Sequence, residues 1–269
     1  MTIRVAAIEV SHWHALHDAA YLRHLAAMPD VQLVGIQDSD PGLVARRAAE
    51  VEAVAEKAAR LGRFVAVPLA QRYQPFATRA RELLTAGRFG PLSHIYVRIN
   101  RPGPARYAGW DCPWMLDPAE AGGGCLRNLG SHGFDMFLYL TGEEAQVTGA
   151  QLSRRAHGQR VEDYASVLLR STGGILGTIE VGNDFPRDGT DGEWKIAGRD
   201  AILTQKDGVL KLATAAGDES LPSGDITTPY FTTVRDALDH WQRGAPPPVS
   251  VHDCARAVRL IDQAYALAG

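Results

Sequence analysis

Gly122-Gly123-Gly124-Cys125-Leu126-Arg127-Asn128-Leu129-Gly130-Ser131-His132-Gly133-Phe134-Asp135 is the stretch that concentrates the chemistry of this chain. Three glycines lead into a helical pattern. Asn128 and His132 are four residues apart and share a helix face, and Asp135, three further on, neighbours His132. A glycine run admits the close approach of backbone or ligand. A histidine presented beside it titrates near neutral pH and can give or take a proton. The spacing predicts a helix over 128–140, closed by Thr141-Gly142.

Upstream of this stretch, 3–8 reads as a buried strand. Residues 15–27 have helical spacing through Leu16, Ala20 and Leu25, and 32–37 is a second short apolar strand. This is a β-α-β opening of the length of a mononucleotide-binding unit. Pro41 suits the first turn of a helix, and 42–61 predicts one continuous helix ended by Gly62. Residues 64–69 read as a strand and 75–86 as a helix closed by Gly87. After Gly90-Pro91 the texture changes: 94–101 alternates as a strand, and 102–121 is a loop bearing Pro and Trp. Downstream, strand-like runs follow at 145–153, 163–170, 174–181, 193–197, 201–205 and 209–213. Turn signals such as Thr172-Gly173-Gly174 and Lys206-Asp207-Gly208 separate them, which implies an antiparallel sheet. Helical patterns at 230–243 and 253–267 close the chain, with Pro246-Pro247-Pro248 between them. The fold class is α/β first and α+β second. Residues 1–90 read as a Rossmann-like region, and 91–269 as a domain with an open, mostly antiparallel sheet whose final helices pack back.

A chain of 269 residues with 45% apolar content can hold one large or two ordinary globular domains. Its net charge of −3 gives no reason to expect nucleic acid or an anionic membrane as partner. Cys112, Cys125 and Cys254 are too few and too widely spaced for a disulfide framework, and without a CxxC they suggest no metal site. No apolar run has membrane-span length. Glu9 and His12 interrupt the N-terminal apolar stretch, so it reads as a strand rather than a signal peptide. A cytoplasmic setting is the expectation.

The 122–135 stretch resembles the GGGxxxDxGxHxxD segment of the Gfo/Idh/MocA oxidoreductases, the family of glucose–fructose oxidoreductase and inositol dehydrogenase. The resemblance extends over residues 63–100 and, more weakly, over 1–50. It implies a Rossmann domain followed by a sheet domain, NAD or NADP as cofactor, and hydride transfer to or from a sugar, polyol or related hydroxyl. His132 would then relay the hydroxyl proton. Asn128 stands where the family usually has aspartate, and Asp135 would orient the imidazole. Relatives carry two further strand–helix units after the opening, the second with a Glu-Lys-Pro stretch whose lysine assists catalysis. No Glu-Lys-Pro occurs here, and Glu50 runs directly into Val51. Roughly sixty residues, about two βα units, are missing relative to the family, so the Rossmann-like region is a reduced one.

Glu9-Val10-Ser11-His12-Trp13-His14 occupies the place of the glycine-rich turn, which makes Ser11, His12 and Trp13 cofactor-binding candidates. The same run also reads as a plain strand-to-helix turn. Asp38 follows the second strand, where a carboxylate holds ribose hydroxyls and favours NAD. It is equally an ordinary turn residue. Arg72 and Tyr73 follow the 64–69 strand and are candidates for the substrate wall facing His132, at the mouth of the principal cleft. Arg127 and Tyr164 are further substrate candidates, with Trp110, Trp114 and Asp163 behind them. The partners expected are a small-molecule substrate and copies of the same chain, as a homodimer or homotetramer through the sheet. Two functions follow. One is an NAD(P)-dependent oxidoreductase. The other is a catalytically impaired relative, binding no cofactor and serving as a sugar-like-ligand binding or assembly protein.

Overall fold

The computed structural model describes residues 2–8, 20–37, 56–57, 60–110, 112–224 and 228–268. The chain opens with β1 (Ile3–Ile8), α1 (Tyr21–Ala27) and β2 (Val31–Gln37). The two strands pair in parallel, with a register shift between Val5 and Ala6. Ile3, Leu22, Leu25 and Met28 form a small apolar core with Val234 and Leu238. Those last two residues belong to α6 (Thr228–Gln242), close to the end of the chain. Arg235 of that helix also reaches Asp30 at 3.1 Å.

Glu56, Lys57 and Arg60 are helical, and Gly62 follows with φ +60°. The rest of the helix expected over 42–61, including the Glu50–Val51 junction, lies outside the described residues. The strand expected over 64–69 is not one. Only Ala66 makes an isolated antiparallel bridge, to Ser250, while Val67 N–H donates to Val249 O at 3.1 Å. Pro68 has no N–H with which to extend a ladder. A 3-10 turn (Ala70–Tyr73) and α2 (Pro75–Thr85) come next.

The second part is an eight-stranded sheet in the order β10-β9-β8-β7-β3-β6-β5-β4. Its strands are β3 (Leu92–Pro102), β4 (Ala145–Ser153), β5 (Tyr164–Ser171), β6 (Leu176–Phe185), β7 (Asp191–Gly198), β8 (Ala201–Lys206), β9 (Val209–Thr214) and β10 (Gly217–Leu221). Every pairing is antiparallel except β3–β6. The expectation of an open, mostly antiparallel sheet therefore holds. The polar strand β10 carries no apolar alternation, so the pattern in the sequence misses it.

Period-two alternation puts Ile95, Val97, Val167, Ile179, Ile196 and Leu203 on one buried face. That face is covered by α5 (Cys125–Thr141), with α7 (Val251–Ala268) packed beside it. Leu126, Phe134, Phe137 and Leu140 of α5 fill the interface. Gly133 lets the helix settle close, since a Cβ there would stand 2.7 Å from Ile179 Cγ2. Helix α5 begins three residues earlier than its apolar spacing indicates. The expected loop over 102–121 also contains short helical turns: α3 (Ala105–Gly109), a 3-10 turn (Pro113–Leu116) and α4 (Pro118–Ala121). Pro113 and Pro118 sit at their starts, where proline's fixed φ and missing N–H cost nothing. No helix among the described residues is long and apolar enough to cross a membrane.

Candidate active site

Helix α5 is held at its N-terminus by Glu162, a buried carboxylate. Its oxygens accept from Gly124 N–H and Leu126 N–H, each at 2.9 Å, and from Tyr265 Oη at 2.7 Å. Cys125 N–H donates to the Glu162 carbonyl at 3.2 Å. A negative group at this end also suits the helix dipole. The glycine run serves this packing. Gly122 adopts φ +68° and Gly123 φ +151°. A Cβ on Gly123 would collide with the Tyr265 hydroxyl, and one on Gly124 with the Glu162 backbone. Gly123 and Gly124 thus make room for the protein's own atoms and Gly122 takes a left-handed turn, where the sequence suggested room for a ligand.

One turn into the helix, half-buried Asn128 places Nδ2 3.1 Å from Tyr107 Oη. Tyr107 is enclosed, and its oxygen also receives Arg106 Nη2 at 2.9 Å and Asn183 Nδ2 at 3.0 Å. The Arg106 guanidinium lies 4.4 Å from the Tyr107 ring centroid and 5.4 Å from that of Trp110. Arg106 Nη2 further donates to Asn183 Oδ1 at 2.6 Å. Burial pulls the Arg106 guanidinium below its ordinary value and pushes the Tyr107 phenol above its own. Tyr107, Arg106 and Asn183 escape sequence reasoning. Tyr107 and Asn183 are 76 residues apart, and only the return of β6 beside β3 brings them together. His132, half-buried, lies one further turn along the same helix.

Asp135, three residues beyond His132, is bound by Arg72. Its Oδ2 accepts from Arg72 Nε at 2.9 Å and its Oδ1 from Arg72 Nη2 at 2.5 Å. Arg72 in turn packs against α5. Its side chain is nearly enclosed, 4.7 Å from the Tyr139 ring centroid, with Asp253 Oδ1 at 3.6 Å. Tyr73 donates to Asp236 Oδ2 at 2.6 Å. The neighbouring cavity, about 620 Å³, is lined by Tyr73, Arg79, Leu210, Leu221, Pro229 and Thr232, without His132. Arg72 answers a buried carboxylate, and Tyr73 turns toward α6.

Arg127 points toward α7, pairing with Asp262 at 2.7 Å. Tyr164 alternates with buried Ala165, and a Cβ on Gly182 across the strand pair would stand 2.8 Å from its ring. It therefore lies on the sheet face opposite α5, away from His132. Asp163 is buried and accepts from His157 N–H at 2.8 Å. Trp110 stands edge-on to Tyr107 with centroids 5.9 Å apart, and Trp114 packs in the same cluster. Ser11, His12, Trp13 and Asp38 lie outside the described residues. In sequence they follow the carboxyl ends of the parallel strands β1 and β2, the edge at which open α/β sheets receive nucleotides.

Residues 77–204 match the GFO/IDH/MocA C-terminal domain. Over these residues the chain is similar to the C-terminal domain of the Gfo/Idh/MocA oxidoreductases. Among similar curated proteins, scyllo-inositol 2-dehydrogenase (NADP+) of Bacillus subtilis is 24% identical over 213 residues. That match covers 68% of this chain and 56% of the relative. Inositol 2-dehydrogenase of Rhizobium meliloti is 24% identical over 206 residues, covering 72% of this chain and 59% of that one. The chain thus spans somewhat over half the length of these relatives. An oxidoreductase from Agrobacterium radiobacter, solved with NAD+, L-tartaric acid and magnesium, superposes with a TM-score of 0.81 at 13% identity. That superposition covers 100% of this chain and 96% of that one, and it shows a shared fold.

Proposed function

We propose that this chain is an NAD(P)-dependent oxidoreductase acting on a sugar, polyol or related hydroxyl, with His132 as the proton acceptor. The observation that carries the reading is the pairing, on one helix, of half-buried His132 with Asn128, whose amide rests on the enclosed Tyr107 phenol. Inositol dehydrogenases among the relatives support the substrate class. One relative is described with NADP+ and one neighbouring structure holds NAD+, which supports a nicotinamide cofactor without choosing between the two. That cofactor supplies the hydride acceptor. Ser11, His12 and Trp13 would face its phosphates and Asp38 its ribose, a carboxylate that favours NAD. Within this reading, residues 1–90 form the reduced nucleotide-binding region and 91–269 the substrate and assembly domain, in a cytoplasmic setting suited to three free thiols.

The chemistry asked of the chain is modest. His132 takes the hydroxyl proton as hydride departs from the same carbon, and Asn128 holds a substrate oxygen. The test is His132→Ala, assayed with a panel of inositols and sugars and with both NAD+ and NADP+. The expected result is a loss of about two to four orders of magnitude in turnover with an unchanged melting temperature. A variant that unfolds marks His132 as structural. Undiminished turnover removes it from the mechanism.

The second reading, a catalytically impaired relative, is favoured by the absence of any Glu-Lys-Pro and by the replacement of all three turn glycines in the 9–14 run. It predicts weak cofactor binding. Low-micromolar NAD+ or NADP+ binding by calorimetry would overturn it. We propose in addition that the chain self-associates through the outer face of the sheet.

A further inference from the structure

Three nitrogens converge on Tyr107 Oη: Arg106 Nη2 at 2.9 Å, Asn183 Nδ2 at 3.0 Å and Asn128 Nδ2 at 3.1 Å. A neutral phenol offers two lone pairs and one proton. Two of the three nitrogens have no alternative role. A guanidinium only donates. Asn183 is oriented by its own Oδ1, which takes Arg106 Nη2 at 2.6 Å, so its NH2 must face Tyr107. These two donors fill the lone pairs. The phenol proton remains, and Asn128 is the neighbour left to receive it among the described residues. A carboxamide accepts only through its oxygen, and a half-turn about χ2 exchanges that oxygen with the nitrogen. The other escape, a phenolate accepting all three donors, is opposed by burial, which pushes the Tyr107 phenol up.

We infer that Tyr107 is a positioning residue: it donates its proton to Asn128 Oδ1 and so turns the Asn128 NH2 away from the phenol. Asn128 then acts as a hydrogen-bond donor one helical turn before His132. The consequence for the substrate rests on the oxidoreductase reading above. An oxygen docked on Asn128 must accept, as a carbonyl, ether, carboxylate or hydroxyl lone pair does, and His132 alone handles the proton. An aspartate at 128 would receive the same phenol proton but offer an acceptor to the substrate.

The orientation can be read without turnover, so an inactive chain and a wrong orientation are separate outcomes. The chain has three asparagines, Asn100, Asn128 and Asn183. Selective 15N labelling of asparagine in the full chain therefore gives three side-chain NH2 pairs, and Asn128→Asp identifies one of them by its loss. The Asn183 pair should show a nuclear Overhauser contact to the Tyr107 ring and serves as internal control. The Asn128 pair should lack that contact and exchange faster with water. An Asn128 contact as strong as that of Asn183 overturns the inference. So does a phenolate absorbance at neutral pH that Tyr107→Phe removes. In Tyr107→Phe the Asn128 amide should lose its fixed orientation and gain a contact to the Phe ring, and an unmoved Asn128 pair would also overturn the proposal. Should that variant fail to fold, the wild-type spectrum decides alone.

Discussion

Arg72 and Asp135 meet through two hydrogen bonds in a place where neither side chain reaches much water. A buried pair contributes little net stability over an apolar replacement, but removing one partner strands the other. Arg72→Ala should therefore cost about 3–5 kcal/mol by urea unfolding at neutral pH. The cost should depend on pH. Burial pushes the Asp135 carboxyl above its ordinary value, and the Arg72 hydrogen bonds and charge oppose that rise. Without Arg72 the folded-state value rises further. A group raised on folding favours the native state below its unfolded value and loses that contribution as pH climbs through the folded one. The gap between variant and wild type should thus narrow toward acid pH and widen toward neutral. A gap that grows on acidification would contradict this. The pair also shows what the sequence leaves unreadable. Asp135 and Arg72 each have a plausible role near a substrate, but they are 63 residues apart, and only their meeting reveals that they serve each other. Asn128 and His132 were legible because helical spacing is local. Tyr107, Arg106 and Asn183 were not, because the contacts that define them span different elements.

At the level of elements, helix α5 is fixed by a residue far outside it. Glu162 gathers two backbone N–H groups at the helix start and the hydroxyl of Tyr265 from α7. Burial, with the Glu162 charge behind it, pushes the Tyr265 phenol up, so the phenol is the donor. Glu162→Ala would leave these donors unpaired in a buried place, and should cost about 2–5 kcal/mol. Hydrogen exchange should rise first at residues 124–128 rather than uniformly, and uniform loosening would deny Glu162 its capping role. The strands and long helices were legible because apolar periodicity is repeated within each. Element ends were less so. The helix starts at Cys125 because Glu162 caps it there, a fact absent from the local pattern. Residues 64–69 are as apolar as a strand, yet Pro68 and the pairing with 249–250 keep them apart from β1 and β2. Tyr164 illustrates the limit of period two: alternation separates two faces, and only the docking of α5 tells which one lies beneath the helix.

Among the described residues of the whole molecule, one sheet face is covered by helices and the other is left open. The centre of the open face is charged but internally matched. Tyr96 Oη donates to Glu180 at 2.6 Å, Arg98 reaches Asp191 at 2.8 Å, and Lys195 reaches Glu193 at 3.2 Å. Such groups can be covered without stranding an unpaired charge. Beside them Leu168 and Leu176, on adjacent strands, remain 50% and 46% exposed. Large apolar side chains on a strand surface, flanked by satisfied polar groups, suit a self-complementary contact about a two-fold axis. The wild-type chain should accordingly show a multiple of its single-chain mass by light scattering. Leu168→Glu with Leu176→Glu should lower that mass. Both positions are already solvent-accessible within the single chain, so the substitutions bury no charge there, and each protomer should keep its secondary structure. A wild-type chain that scatters as a single copy ends the proposal. A double variant that keeps the wild-type mass moves the contact to another surface, since two carboxylates facing their symmetry mates could not be buried at that seam without heavy loss.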